Sequence, residues 1–276
     1  MFNVEIFSLA FLLFVMAKQD GLINGARASV DMGESMSVCL KLLTWAILAV
    51  ATCRSGLWGQ ALSDLSVPTP MPRGSNLVMG FLGGFERWDD SHRSVRRLAL
   101  KLRKRPGVYA ESISNWRRTV AVQLIRKALD TNADGKLDSE ECARAHIVLF
   151  GQSWGGAAAL ATARDLERLG IPVMLVVQVD GVGLHDEIVP ANVAAAANLY
   201  QHDPFTIQGH TEIRAADSAR TIILANVERT YALRPMDKSN TSWARRIFGG
   251  SHAKMEQDSA VWSQVEQYIV EAIARR

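Results

Sequence analysis

The chain has 276 residues, of which 48% are hydrophobic and 21% are charged, and its formal net charge is +3. This composition is typical of a globular protein and excludes a disordered or fibrous chain, and the length favours one sizeable domain. The basic residues form short scattered runs without a recognition motif, so we expect no nucleic-acid partner. Two of the three cysteines lie in an apolar leader, which leaves Cys142 without an intrachain disulfide partner in the mature domain.

The N-terminal part is predicted to be a leader. Apolar stretches at 6–17 and 42–53 are each shorter than the roughly 20 residues that span a bilayer. The second stretch follows a lysine and precedes the small-x-small triplet Gly59-Gln60-Ala61, as in a secretory signal peptide. We therefore expect residues 1–61 to be cleaved off after Ala61 and the mature protein to be periplasmic or secreted. The alternative is a membrane association in which both stretches form an N-terminal anchor.

A signal peptide needs only the segment from Met36 onward, so Met36 is predicted to be the true start. The proline-rich residues 62–75 are predicted to be a linker.

The remainder of the chain is predicted to form an α/β domain. From 76 to 276, short apolar runs alternate with amphipathic segments, which predicts a mostly parallel sheet flanked by helices. The predicted strands are 77–81, 108–112, 147–150, 173–179 and 221–225. The predicted helices are 95–104, 119–129, 157–169 and 261–274.

A candidate nucleophile lies in Gly151-Gln152-Ser153-Trp154-Gly155, between the third predicted strand and an alanine-rich helix. A strand, a sharp turn and a helix hold a serine in a strained conformation, and this turn needs small residues on both sides of it. The pattern predicts that Ser153 is catalytic and that the backbone N–H of Trp154 helps to bind an oxyanion. The second oxyanion donor is expected from Leu82 or Gly83, in the glycine-rich loop after the first strand.

The catalytic partners of such a serine follow it in the chain, first an acid and then a histidine. Four histidines follow Ser153, and His252 is predicted to be the base because it is the last and lies in a glycine-rich loop before the C-terminal helix. Asp180 is predicted to be the acid because it directly follows an apolar strand and therefore lies at the carboxyl edge of the sheet. Glu228 and Asp237 are the alternatives for the acid.

An acidic segment at 130–141 fits the EF-hand loop position by position, with a glycine at place 6 and an apolar residue at place 8. Helical segments are predicted on both sides of it. Because sensor EF-hands usually work in pairs and this loop is single, we expect a structural calcium ion rather than a signalling role. The predicted ligands are Asp130, Asn132, Asp134, the Lys136 carbonyl, Asp138 and the bidentate Glu141.

Together these motifs resemble a bacterial family of lipase- and thioesterase-like α/β-hydrolases, in which an EF-hand-like loop precedes the nucleophile strand. The resemblance covers about residues 76–273. Its matching features are 151–155, Gln178-Val179-Asp180, 188–193, 198–201 and His252 followed by Glu256 and Asp258. The resemblance implies that Ser153, Asp180 and His252 form a catalytic triad and that the substrate is an ester or thioester.

Two classes of function fit these residues. The first is a serine hydrolase that cleaves a small-molecule or lipid ester through an acyl-enzyme, with a serine peptidase or acyltransferase as variants of the same chemistry. The second is a non-catalytic, calcium-dependent binding module built on a hydrolase scaffold. Substrate determinants are expected at 186–217, which follows the candidate acid and has no periodic pattern.

Overall fold

The computed structural model describes residues 59–204, 206–231 and 250–275. The predicted leader therefore lies outside the described residues except for its last three positions, and Asp237 also lies outside them. Within the described ranges, no helix is both long and apolar enough to cross a membrane.

The centre of the molecule is a six-stranded, fully parallel sheet with the strand order β2-β1-β3-β4-β6-β8. Two further short strands, β5 and β7, pair with each other beside it. The inner strands are buried along nearly their whole length, because the layers on both faces exclude water from them. The strands are β1 Asn76–Leu82, β2 Val108–Ser114, β3 Ile147–Gln152, β4 Val173–Val179, β5 Ile188–Val189, β6 Val193–Tyr200, β7 Arg214–Ala215 and β8 Ile222–Glu228.

The helices of the described ranges cover both faces of this sheet, and the alternation of side chains along β1 shows how. Leu77 and Met79 pack in one core cluster with residues of α2 and α4, whereas Val78 packs in the other cluster with residues of α1 and α6. The helices are α1 Ser94–Leu102, α2 Arg118–Leu129, α3 Ser139–Ala143, α4 Trp154–Arg168, α5 Gly250–Gln257 and α6 Ser259–Ala274.

This topology is that of an α/β-hydrolase. The sheet is parallel, helices flank it on both faces, and the sharp turn into a helix follows the inner strand β3. The carboxyl ends of all six strands lie at one edge, so the loops after β1, β3, β4 and β6 meet there. This edge is where a parallel sheet of this kind carries its functional groups.

Three strands that the sequence analysis did not predict, β5, β6 and β7, lie within 186–217, and the position of His252 also differs from the prediction. The strand β6 lies within 186–217, where the sequence shows no periodic pattern. It was not predicted because it contains four consecutive alanines, which have low strand propensity. In the structure Ala196 and Ala197 are fully buried between β4 and β8. His252 lies in the helix α5 rather than in a glycine loop.

The compact unit begins at Gln60 rather than at residue 76. In the predicted linker, Val67 and Met71 are buried against the core. The side chain of Gln60 is fully buried, donates to the carbonyl of Ser112 at 2.8 Å and accepts the Ser114 backbone N–H at 3.2 Å. The segment from 60 to 75 is therefore part of the domain, and a cut after Ala61 would remove these bonds.

Candidate active site

The loop after β3 holds Ser153 in a conformation that a non-glycine residue rarely adopts, with φ 57° and ψ −126°. Three backbone hydrogen bonds fix this turn: the Ser153 N–H donates to Val179 at 2.9 Å, and its carbonyl accepts from Gly156 at 2.9 Å and from Val182 at 3.1 Å. The strain is therefore balanced by contacts to the adjacent strand β4 and the loop that follows it.

The glycines around Ser153 are needed because the backbone approaches very closely at this point. A Cβ on Gly151 would lie 2.2 Å from the carbonyl oxygen of Gly155, and a Cβ on Gly155 would lie 2.0 Å from that of Phe81. Both distances are far shorter than a van der Waals contact. The elbow thus packs directly against the end of β1, which brings the loop after β1 next to Ser153.

Asp180 and His252 are in direct contact. Asp180 directly follows β4, has φ 47° and is fully buried, and its Oδ2 lies 2.6 Å from the Nδ1 of His252 in α5. The alternative acid Glu228 is exposed at the end of β8. Among the acids proposed from the sequence that fall in the described ranges, the structure therefore brings Asp180 to the histidine.

Further residues that no sequence motif identifies hold this pair in place. The Asp180 carboxylate accepts the Gly209 backbone N–H on Oδ1 at 2.8 Å and the Gln201 side-chain amide on Oδ2 at 2.9 Å. Asp203 accepts the Ser251 hydroxyl at 2.8 Å, one residue before His252. The only sequence signal was the stretch 198–201, which the family resemblance includes without giving Gln201 a function.

The second ring nitrogen of His252 faces Ser153's neighbour in the elbow. Because Nδ1 contacts a carboxylate, the proton is assigned to Nδ1 and Nε2 becomes the acceptor. Within the described part of the chain the hydrogen-bond partner of Nε2 is the side-chain amide of Gln152, at 3.3 Å, and not the Ser153 hydroxyl. The imidazole is thus oriented as a base, and the Gln152 amide occupies the position from which Nε2 of His252 would accept a proton.

The predicted oxyanion donors lie on both sides of Ser153. A Cβ on Gly83 would lie 3.1 Å from the Cβ of Ser153, so the loop after β1 passes directly over the serine. The side chain of Asn115 ties this loop down, because it donates to the carbonyls of Leu82 at 3.0 Å and Gly84 at 2.6 Å. Trp154 is the first residue of α4, where backbone N–H groups and the helix dipole favour negative charge.

An acid with an unusual pKa lies in the same loop. The pKa of Glu86 is raised to about 7, and burial is the largest cause. The nearby Glu256 carboxylate also raises this pKa, whereas Arg93 and the Gly83 backbone amide lower it. Arg93 is within ion-pair distance, at 3.0 Å. The carboxyl group of Glu86 therefore titrates near neutral pH beside a predicted oxyanion donor.

Three aromatic side chains form an apolar surface next to the elbow. Phe85 is 57% exposed, and its ring lies 5.5 Å from that of Trp154 in an edge-to-face arrangement and 6.1 Å from that of Trp116. An exposed phenylalanine that lies between two tryptophans offers a surface for an apolar group close to Ser153.

The acidic loop 130–141 connects α2 and α3, and its glycine has the positive φ, 78°, that the EF-hand turn requires. Its carboxylates accept backbone N–H groups of the loop itself: Asp130 from Gly135 at 2.9 Å, and Glu141 from Thr131 at 2.7 Å. Asp138 caps α3 by accepting the Glu141 N–H at 2.7 Å. Over the described ranges, these carboxylates do not form a group of three within 4.8 Å of one another.

Comparisons with known proteins gave structural likenesses only. No family model matches the chain, and no curated protein matches it. Among solved structures, a dienelactone hydrolase from Anabaena variabilis has a TM-score of 0.36 and 13% identity, over 72% of this chain and 86% of that one. A dienelactone hydrolase-like promiscuous phosphotriesterase from metagenomic libraries has a TM-score of 0.34 and 16% identity, over 73% and 88%.

An α/β serine hydrolase without a lid, from Xanthomonas campestris, has a TM-score of 0.34 and 12% identity, over 77% of this chain and 84% of that one. At such scores and identities the likeness says nothing about the activity of this chain.

Proposed function

We propose that this protein is a serine hydrolase that cleaves carboxylic ester or thioester bonds through an acyl-enzyme intermediate. The observation that carries the proposal is the 2.6 Å contact between a fully buried Asp180 and the Nδ1 of His252, at the sheet edge where Ser153 occupies its strained turn. A histidine without a catalytic role requires no buried carboxylate that is itself held by two further donors. A catalytic histidine requires such a carboxylate, because the carboxylate fixes the tautomer of the imidazole and its orientation towards the serine.

In the first half of the reaction, His252 Nε2 accepts the hydroxyl proton while Ser153 Oγ forms a bond to the substrate carbonyl carbon. The Gln152 amide must first move away from Nε2. The negative charge that develops on the carbonyl oxygen is bound by backbone N–H groups from Trp154 and from the loop after β1. The bond to the leaving alcohol or thiol then breaks, and the leaving group takes the proton from His252.

In the second half, a water molecule attacks the acyl-enzyme and gives its proton to His252. The tetrahedral intermediate collapses, the carboxylic acid leaves and Ser153 regains its proton. Asp180 keeps the proton of the neutral imidazole on Nδ1 and stabilises the imidazolium in both halves, without being protonated itself.

An apolar acyl group is the substrate feature that the surroundings favour. The exposed Phe85, with Trp116 and Trp154 around it, lies beside the elbow and offers apolar area that would otherwise face water. We therefore expect esters of medium-chain acids to be better substrates than acetate. A series of p-nitrophenyl esters of increasing acyl length measures this preference as kcat/KM.

The activity itself is tested by ester hydrolysis in matched variants. Ser153→Ala and His252→Ala should each lose nearly all p-nitrophenyl ester hydrolysis, because each removes a group that forms or relays a bond in the reaction. The controls are Ser218→Ala and His92→Ala, which replace the same residue types at exposed positions. Hydrolysis that persists in Ser153→Ala would favour the alternative of a non-catalytic calcium-dependent module with a contaminating activity.

We also propose that the loop 130–141 binds a structural calcium ion. Its donors are all oxygens, the kind of ligand that calcium prefers, and the side chain of Glu141 is nearly fully buried at the place of the bidentate ligand. For bidentate binding, the ion would have to replace the hydrogen bonds that Glu141 Oε1 accepts from Thr131 and Asn132 and the one that Oε2 accepts from Asp138. The ion would join α2 to α3 just before β3, the strand that carries Ser153.

For localisation, we propose that the protein is exported after removal of its leader, with an N-terminal membrane anchor as the alternative. The buried side chain of Gln60 favours a mature chain that retains this residue, so the cleavage site is expected before Gln60 rather than after Ala61. N-terminal sequencing of exported material tests this proposal. Recovery of the intact N-terminus in a membrane fraction would support the anchor.

A further inference from the structure

Away from Ser153, two carboxylates and an imidazole form a cluster in the loops that follow β4 and β6. Ligand atoms of Asp186, Glu187 and His210 all lie within 4.8 Å of one another, and no other such group occurs among the described residues. His210 Nε2 lies 2.7 Å from Asp186 Oδ1 and 3.7 Å from Glu187 Oε2. None of these residues has a role in the proposed hydrolysis.

Asp186 gives an independent reason to expect a ligand. Its side chain is fully buried, yet both of its carboxylate oxygens lack a hydrogen-bond donor within the described structure. The 2.7 Å contact between His210 Nε2 and Asp186 Oδ1 is an ion-pair contact that does not meet the geometry of a hydrogen bond. A buried carboxylate that points into a cluster without a donor is an arrangement that proteins avoid unless a cation satisfies it.

A second buried acceptor lies beside it. The side-chain oxygen of Gln178 also lacks a donor, and both it and the Asp186 carboxylate lie near Gly181. A Cβ on Gly181 would lie 2.7 Å from Gln178 Oε1 and 3.4 Å from Asp186 Oδ2. Unsatisfied oxygens therefore gather on the buried side of the cluster.

The backbone that carries the cluster is held by other side chains. The Gln178 amide nitrogen donates to the carbonyl of Asp186 at 2.9 Å, and Asn198 donates to the carbonyl of His210 at 2.8 Å. Arg164 donates to the carbonyl of Ile188 at 2.8 Å and contributes positive charge near both carboxylates. The three side chains are thus presented by a fixed frame, as expected of a built site.

We propose that Asp186, Glu187 and His210 bind a divalent transition-metal ion, with zinc as the representative. Zinc bonds to nitrogen and oxygen of about 2.1 Å in a tetrahedron separate the ligand atoms by about 3.4 Å, and the observed 2.7 and 3.7 Å lie on either side of this value. The imidazole favours zinc and similar ions over calcium and magnesium, which prefer oxygen ligands. Because Glu187 and His210 are 27% and 37% exposed, the ion has access from solvent and room for a water ligand.

Calorimetric titration of tag-free, metal-free protein with zinc tests the proposal. Excess calcium is present throughout, so that the acidic loop 130–141 does not contribute. We expect one equivalent of zinc, with an affinity that falls at least tenfold in His210→Ala and in the isosteric Asp186→Asn. The matched control is His202→Ala, an exposed histidine outside the cluster, which should bind as the wild type does.

Cobalt provides a spectroscopic readout of the same site. Cobalt bound through His210 should give visible absorption bands in the wild type that disappear in His210→Ala. Circular dichroism without metal checks that each variant folds. If a variant at a buried position does not fold, Glu187→Gln replaces it in the test, because Glu187 is partly exposed. Absence of zinc binding in the wild type, or equal affinity in the wild type and in the folded cluster variants, would overturn the proposal. Loss of zinc binding in Glu141→Gln instead would assign the ion to the acidic loop and would also overturn it.

Discussion

Replacement of Asp180 by asparagine probes the core of the proposed mechanism, because the three donors around this carboxylate dictate how an amide would sit. With its nitrogen at the Oδ2 position, the amide would place a donor against two other donors, the Gln201 amide and the Nδ1–H of His252, and would force the imidazole into the wrong tautomer. With its nitrogen at the Oδ1 position, it would oppose only the Gly209 N–H. The second orientation sacrifices one hydrogen bond instead of two, so we expect it to be adopted and the tautomer of His252 to be preserved.

The size of the effect follows from the charge that is lost. At an effective dielectric constant of about 20, full unit charges over the observed 2.6 Å attract each other by roughly 6 kcal/mol. Both charges are delocalised and a neutral hydrogen bond remains, so the loss in transition-state stabilisation should be about 3–4 kcal/mol. This corresponds to a decrease in kcat of between about 10² and 10³-fold for Asp180→Asn. Asp180→Ala removes the acceptor as well and should approach a loss of about 10⁴-fold.

The assay is steady-state hydrolysis of a p-nitrophenyl ester by folded protein, with Glu228→Gln as the control. Glu228 is exposed at the end of β8, and its replacement should leave kcat unchanged. The melting temperature of each variant separates a loss of activity from a loss of structure. Full activity in Asp180→Asn together with loss in Glu228→Gln would refute the assignment of the acid, and equal losses in Asp180→Asn and Asp180→Ala would refute the orientation argument.

Three further predictions concern stability. The pKa of Glu86 is raised, so the stability that its protonated carboxyl contributes is complete below pH 4.5 and is lost as the pH rises through about 7. The free energy of unfolding of Glu86→Gln should therefore increase relative to that of the wild type, by up to about 3 kcal/mol between pH 4.5 and 8. Thermal melts at both pH values measure this, and a pH-independent difference would contradict it. Calcium at a hundredfold excess over Kd should stabilise the wild type by about 2.7 kcal/mol and Glu141→Gln by much less, whereas identical melts with calcium and with chelator would leave the loop an ordinary acidic turn. A chain that starts at Leu62 lacks the bonds of Gln60 and should be less stable than one that starts at Gly59 by about 3 kcal/mol, or roughly 6–12 °C in Tm, and equal melting temperatures would show that these bonds contribute little.

The main features of the fold are predictable from the sequence because the inner strands bury both faces. Such strands appear as short apolar runs, and the five predicted ones correspond to β1, β2, β3, β4 and β8. The strand β6 was missed because its alanines have low strand propensity and are suited to the sheet only through tight packing with β4 and β8. The predicted linker gave no sign that Gln60 would be buried, because that depends on a partner more than 50 residues away.

The candidate site was predictable where chain order and strand ends constrain it. Ser153 has a local motif, Asp180 follows an apolar strand, and His252 is the last histidine of the chain. Gln201 and Gly209 were not predictable, because they reach Asp180 from a loop without periodicity. The cluster of Asp186, Glu187 and His210 was not predictable for the same reason, since these residues come from separate loops and have no recognisable spacing.

The most direct test of the proposed hydrolase is covalent labelling of the folded protein with a fluorophosphonate, followed by peptide mass spectrometry. The reagent reports an activated serine rather than any particular substrate, so the result does not depend on the choice of ester. We expect one adduct per chain on Ser153, with labelling abolished in Ser153→Ala and strongly slowed in His252→Ala. Folded wild-type protein that remains unlabelled, or an adduct on a different serine, would contradict the assignment of Ser153 as the nucleophile.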